Sequence, residues 1–546
     1  MRKLLPSLLA AAAILAPACV KVDSSLGKGL VDKSLLFDTY TVTFPLEDIQ
    51  MKMCDGLSGY SDSHLTIGAI RDDVFGLTTR EAAFNLIPLL DTLDLGTDPK
   101  AVAMDIYFER DTVSCSMDDQ AHILQNIYVT ELTKTLPGSD ENTASVMDIP
   151  HGTELLTDGI PVYNGEGALS FNFTKEYAQK VVDVVKRLGP VLKDRDGDTD
   201  KYEDYVKALP GIYIETDKPE VNGGRINLFN FSSLSVSSNY YTKNNNVAFL
   251  KVHSTWDGVE KDSTFVFLPG ETEFEDEATY LSSNLKFYQY CFNRTGHSTT
   301  PGKPGSGNIL VEGGGGLKPV ISARELKEKT IRAIEAKNGV AKEAIIVKAT
   351  IVLPYQMPED YLDMKYFPSV LSPTIRKEDD NKLASFAGLT DASVSTENQG
   401  DLDRSRLCYS PDITYHLQET LKKEDKFEES DIWLLTIHTE KVANASGSLY
   451  DNSYYQNLLY ASYYNSLYGG GYGGYGYGYS SYGYGGYSNY YNYMMLAQMM
   501  AASTEQSYSY TTELDKDRYY CAILNGPTAQ KHPYFQVTFA IPQRID

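Results

Sequence analysis

Short apolar runs with a period of two recur along this chain, and each is closed by a turn-prone cluster before it grows longer than a strand. Thr39 to Leu46 (TYTVTFPL) alternates polar and apolar side chains, the pattern of a half-buried strand. Leu65 to Ile70, Ala101 to Phe108 and Ile123 to Thr133 repeat it, with GTDP and PGSDEN among the separators. Further strands are expected at Ile212 to Glu215, Ile226 to Phe231, Leu234 to Tyr241, Val247 to His253, Thr264 to Leu268, Ile345 to Leu353 and Ile432 to Thr439. Strands this short at this spacing predict a mainly β protein of tandem antiparallel β-sandwich, jelly-roll-like domains.

Helices are few and carry clear end signals. Thr174 can cap a helix in which Tyr177, Val181, Val184, Val185 and Leu188 recur at helical spacing, and Gly189-Pro190 stops it. A short second helix is expected over Lys201 to Leu209. Ser322 with Glu325 three residues on forms a capping-box pattern, and Leu326, Ile331 and Ile334 give that helix its inner face. At 546 residues the chain is long enough for roughly two to four domains of ordinary size. Composition shifts divide it into an N-terminal β domain (35–167), a central α+β, sandwich-like region (168–298), a Gly/Pro-rich loop (299–316) and a C-terminal β domain (317–546).

One stretch breaks the strand rhythm. Gly447 to Tyr493 has 47 residues with 17 of the chain's 41 tyrosines and 11 glycines, and it is almost uncharged. Glycine at that density raises the entropy cost of ordering, and no aliphatic pattern offsets it, so the tract is expected as a long insertion outside the fold. Its rings, among them Tyr472, Tyr475, Tyr477, Tyr479, Tyr482 and Tyr484, suit stacking on sugars, packing against a protein partner, or self-association. A tolerated insertion with no role is the plain alternative. Met494 to Ala502, which follows, is Met-rich and helix-prone.

The first residues address the chain. Arg2 and Lys3 precede an apolar run from Leu4 to Ala18, and Cys19 follows a group of small residues. A basic end, a short apolar core and a small-residue exit form a secretory signal (1–18), too short to span about 30 Å of hydrocarbon. A cysteine at the exit resembles a bacterial lipoprotein signal, which implies that Cys19 carries lipid and that the polar stretch 19–34 is a tether. The expected partner is then the outer membrane, reached through that anchor, with the protein at the cell surface or the periplasmic face.

The formal charge is −24, spread along the chain. Phosphate backbones and anionic lipid would be repelled, so nucleic acid is not an expected partner. Six cysteines stand at wide spacing, which excludes a dense disulfide framework and a CxxC site. The acidic run DRDGDTDKYED offers oxygen ligands at Asp194, Asp196, Asp198, Asp200 and Glu203, and calcium is the cofactor it would suit. Read as a calcium loop from Asp194, it has Thr199 where glycine is needed and Tyr205 where a bidentate glutamate is needed. Read from Leu192, Gly197 and Glu203 fit but the first ligand is missing. A solvated turn between two helices competes with the metal site. No HExxH or GxSxG occurs, and the Gly-rich string Gly313 to Gly316 lacks the Lys-Ser/Thr of a phosphate loop, leaving backbone flexibility as its reading. No catalytic residues are assigned.

Four segments carry a family resemblance, which is strongest in IIVKATIVLPY, from Ile345, and in the last of the other three. The other three are IGAIRDDVFGLTTREAAFNLIP, with Asp73 ahead of Phe75-Gly76; LPGIYIETD; and a C-terminal hairpin in which YYCAILNG and FQVTFAIPQ flank a turn. In these the chain resembles the Bacteroidetes lipoproteins grouped as domain-of-unknown-function family 4270. That resemblance brings no activity with it. The expectation is a non-enzymatic binding or assembly component taking a glycan or another surface lipoprotein as ligand. The alternative is an extracellular polysaccharide hydrolase, which would need two facing carboxylates about 5 to 10 Å apart.

Overall fold

The computed structural model describes residues 37–543 except 62–63, 89–92, 112–122, 138–142, 190–200, 231–246, 271–290, 305–306, 379–383, 390–399, 423–430 and 444–507. Cys19, Cys115, the strand expected at Leu234 to Tyr241, Asp194, Asp196, Asp198, Asp200, the helix-prone Met494 to Ala502 and the six tyrosines named above lie outside the described residues. The protein is mainly β, built of several antiparallel sheets in sandwich-like layers.

Two large apolar cores organise these sheets. The first lies between a nine-stranded sheet and a five-stranded one. The nine-stranded sheet includes His64–Asp72, Gly76–Phe84, Gln125–Leu132, Ile212–Thr216, Gly223–Asn230 and Cys291–His297. The five-stranded one runs Leu169–Asn172, Thr97–Phe108, Val247–Trp256, Val259–Pro269, Leu86–Pro88. Phe84, Phe108, Phe171 and Phe229 meet in its middle, with Phe84 and Phe108 edge to face at 5.8 Å between ring centroids. Helix α1 (Lys175–Leu188) closes one side with Tyr177, Ala178, Val181, Val182 and Val185 buried. Its N-cap is Thr174, whose hydroxyl accepts the N–H of Tyr177. Helix α2 (Tyr202–Ala208) follows and buries Tyr205, whose hydroxyl donates to the Leu86 carbonyl.

The second core uses both ends of the chain. Phe37–Pro45 pairs with Tyr534–Pro542, which pairs in turn with Ile345–Pro354. Ile49–Met53 pairs with Leu317–Ile321, which continues into Ile432–Ala443 and Leu371–Glu378. Helices α3 (Ala323–Glu335) and α4 (Thr414–Lys422) pack on this side, contributing Leu326, Ile334, Leu417 and Leu421 to the core. Burial of each such side chain stabilises the fold by about 1.5–3 kcal/mol.

Strand pairing runs across the boundaries expected from the sequence. The strands of 35–167 and 168–298 share sheets: Gly76–Phe84 pairs with Ile212–Thr216 and Cys291–His297, and His64–Asp72 with Gly223–Asn230. Phe37–Pro45 and Ile49–Met53 belong instead with the C-terminal sheets, where Tyr40, Val42 and Phe44 find the second core. The loop expected over 299–316 contains the strand Asn308–Glu312. The expected C-terminal hairpin does not form: Cys521–Asn525 pairs with Asn308–Glu312, while Tyr534–Pro542 is taken by Phe37–Pro45 and Ile345–Pro354. The segment IGAIRDDVFGLTTREAAF is a tight hairpin, with the Asp72 carboxylate accepting the N–H groups of Val74 and Phe75 and Gly76 at φ +67°.

The capping box at Ser322 forms in half. Ser322 accepts from the Glu325 N–H, but the Glu325 carboxylate reaches across the chain to the N–H groups of Glu47 (2.8 Å) and Asp48 (2.9 Å). A local helix signal thus fastens the N-terminal strands to the C-terminal core.

Candidate functional site

Two features gather what chemistry-bearing residues the fold brings together: a buried polar seam between the cores, and the hairpin from which the Tyr/Gly tract departs.

At the seam His64, at the start of its strand, lies between two carboxylates. Its Nδ1 is 3.3 Å from Asp517 Oδ2 and its Nε2 is 3.2 Å from Asp111 Oδ2. Asp111 comes from the first half of the chain and Asp517 from near its end. Ser61 donates to Asp517 at 3.1 Å, and the Asn293 amide reaches the His64 carbonyl at 2.7 Å. Burial would lower the His64 pKa, but the hydrogen bonds to Asp111 and Asp517 outweigh it and raise the pKa to about 10. Burial would in turn raise Asp517, and the hydrogen bond and charge of His64 hold it below the usual carboxylate range instead. His64 is therefore an imidazolium at neutral pH. Serine, histidine and aspartate meet here in the wrong order for acyl transfer. Both ring nitrogens are given to carboxylates, so neither can take a proton from Ser61.

The same seam holds a second set. Glu312 takes hydrogen bonds from Thr299 Oγ1 (2.6 Å) and the Leu317 N–H (2.9 Å), and lies 3.3 Å from His297 Nδ1. Burial lowers the His297 pKa, and the neighbouring Arg80 and Lys318 charges add to this. The ring is neutral, its Nε2 facing Arg80 Nη1 at 3.5 Å. Lys318 is buried with its ammonium held by the carbonyls of Glu312, Gly314 (3.0 Å) and Gly316 (3.3 Å). Burial pulls its pKa down to about 8. The string Gly313 to Gly316, expected to supply flexibility only, is instead a carbonyl cage. Gly314 has φ +53°, and a Cβ there would stand 2.7 Å from Arg80 Nη2, so a side chain would press on the buried guanidinium.

The turn that supplies Asp517 is also the root of the tract. Tyr508–Leu514 pairs antiparallel with Ile432–Ala443, in a register that sets Ala443 opposite Tyr508. The chain then passes into Asp515, which donates its N–H to the Thr436 carbonyl at 3.0 Å and accepts from the Tyr520 hydroxyl at 2.7 Å. Lys516 reaches the carbonyls of Ser58 and Tyr60. Residues 444–507 therefore leave and re-enter at two directly paired positions, and the returning strand runs into the seam. Sequence reading missed Tyr508–Leu514, although SYSYTTEL alternates as a strand should.

Of the expected metal ligands only Glu203 is described. It is exposed on α2, with its carboxylate 2.9 Å from Lys207 one turn on. Among the described residues no group of three or more His, Cys, Asp or Glu side chains is placed to hold a metal ion, and no helix is long and apolar enough to cross a membrane. Cys54, Cys291, Cys408 and Cys521 are free thiols, all but Cys521 fully buried. No family model, curated protein or solved structure matches this chain.

Proposed function

We propose that the protein is a surface-exposed outer-membrane lipoprotein that acts as a non-enzymatic binding or assembly component, with the Tyr/Gly tract as its recognition element. One observation carries this reading: the register pairs Ala443 with Tyr508, so a 64-residue connection begins and ends at adjacent positions of one hairpin. A segment attached in this way can be long without disturbing the sheet, since closing a loop costs little more as it lengthens. Tyrosine adds flat rings with a hydroxyl at low side-chain entropy cost, suited to a glycan or to another surface protein.

The anchor belongs to the same reading. A lipidated Cys19 would leave 17 residues before Phe37, where the described fold starts. At about 3.3–3.6 Å per extended residue, that tether lets the body stand well clear of the membrane. The resemblance to the Bacteroidetes lipoprotein family fits this placement. Metabolic labelling with a palmitate analogue tests it. The full chain should take up label and sediment with membranes, and Cys19→Ala should do neither. Unchanged labelling in Cys19→Ala would remove the lipoprotein reading.

A further inference from the structure

Arg80, at the middle of the strand Gly76–Phe84, is fully buried in the seam. One of its terminal nitrogens is engaged: Nη1 donates to the Thr79 carbonyl at 3.3 Å and faces His297 Nε2 at 3.5 Å. Nε and Nη2 are closed to solvent and have no acceptor within hydrogen-bond reach among the described residues. Those two atoms share one edge of the guanidinium. Their N–H bonds run parallel there, as a fork that takes an anion from the side. A buried cation whose donors lack acceptors is costly, so the fork points to a ligand.

The carboxylates of the seam are committed elsewhere. Asp111 and Asp517 share the His64 ring, and Asp515 accepts from the Tyr520 hydroxyl and the Arg518 N–H. Glu312 accepts from Thr299 and the Leu317 N–H. Among the described residues no ion pair joins any of them to Arg80 or to Lys318, the other large buried cation. Burial pulls the Arg80 pKa down to about 10, although Asp517, Glu312 and Asp515 act against it from a distance. Burial, with the Arg80 charge added to it, also depresses Lys318.

We propose that the Arg80 fork binds a small monovalent anion of the halide class, held in the seam as the counterion that the fold itself does not provide. Enclosure sets the size, since neither nitrogen of the fork is open to solvent. The carboxylates set the charge, because a divalent anion would be repelled by Asp515, Asp517 and Glu312. Gly314 keeps the Nη2 flank clear, where a Cβ would stand 2.7 Å from the nitrogen. The anion touches both sides of the seam: Gly76–Phe84 belongs to the nine-stranded sheet, and the glycine string leads into Leu317–Ile321 of the second core's sheets.

Thermal unfolding of the full chain in mild detergent tests this, with sodium chloride or bromide set against sodium gluconate at matched ionic strength. The matching is needed because any salt screens a chain of net charge −24. Relative to gluconate, which is too large for the seam, the halides should raise the melting temperature saturably by about 2 °C. Arg80→Lys keeps the charge without the fork and should lose that difference. Crystals of the unsubstituted chain grown in bromide should show an anomalous peak facing both Nε and Nη2, a readout that needs no variant to fold. Identical melting in halide and gluconate, or a water without anomalous signal at the fork, would overturn the proposal.

Discussion

Asp517 and His64, separated by most of the chain, meet at 3.3 Å in the seam between the two cores, and Asp111 takes the other side of the same ring at 3.2 Å. The seam is thus closed by a buried charged triad. Losing the imidazolium leaves two buried carboxylates without the cation between them.

His64→Gln should therefore cost about 3–5 kcal/mol of unfolding free energy near neutral pH. The pH dependence has a defined sign. The folded pKa of His64, about 10, lies above its ordinary 6.5. Its contribution is complete below about pH 6.5 and is lost as the pH climbs through 10. Lys318, lowered to about 8 from 10.5, runs the other way and gains over about pH 8 to 10.5. The difference between the unsubstituted chain and His64→Gln cancels the lysine. In urea titrations it should shrink steadily from pH 6.5 to pH 10. A constant difference would mean that His64 is not held as a cation.

The four described thiols should be protected. Burial lifts Cys54 to about 11 and Cys521 to about 12, and Cys408 is also raised. Cys291 is buried, with its Sγ on the His64 carbonyl at 3.4 Å. At pH 8 a thiolate-selective reagent should label none of these positions in the folded protein and all of them in denaturant. Native labelling of any one, mapped by peptide mass, would contradict its placement.

How much of this could be read from the sequence depended on range. Thr174 and Ser322 cap helices through contacts three residues away, and the alternation in Thr39 to Leu46 reports which side chains are buried. Both signals are local. The pairing partner of that strand lies at Tyr534–Pro542, and nothing in TYTVTFPL points there. The seam was illegible for the same reason. His64, Asp111, Glu312 and Asp517 are single residues drawn together by the topology, and no motif spacing links them. Even the glycine string misled, because the use of its carbonyls depends on the Lys318 ammonium folding back beneath it.

Glu325→Ala should show that the N-terminal strands are fastened through α3. The substitution strips an acceptor from the N–H groups of Glu47 and Asp48 and removes the 2.7 Å partner of Lys329. The expected loss is about 1–3 kcal/mol. Hydrogen exchange should quicken at Phe37–Pro45 and Ile49–Met53 before it quickens in the first core. Equal acceleration everywhere would argue that the strands are held by their ladders alone.

The most direct test of the central claim is deletion of Gly447 to Tyr493 with a short Gly/Ser join. Because the hairpin register sets Ala443 opposite Tyr508, the strands on either side should still pair. The melting temperature of the deleted chain should stay within a few degrees of the full chain, since closure depends weakly on loop length. Binding to intact cells, to a glycan array and to detergent-solubilised surface lipoproteins should fall with the deletion. Unfolding of the deleted chain, or a folded chain that keeps every interaction, would contradict the account.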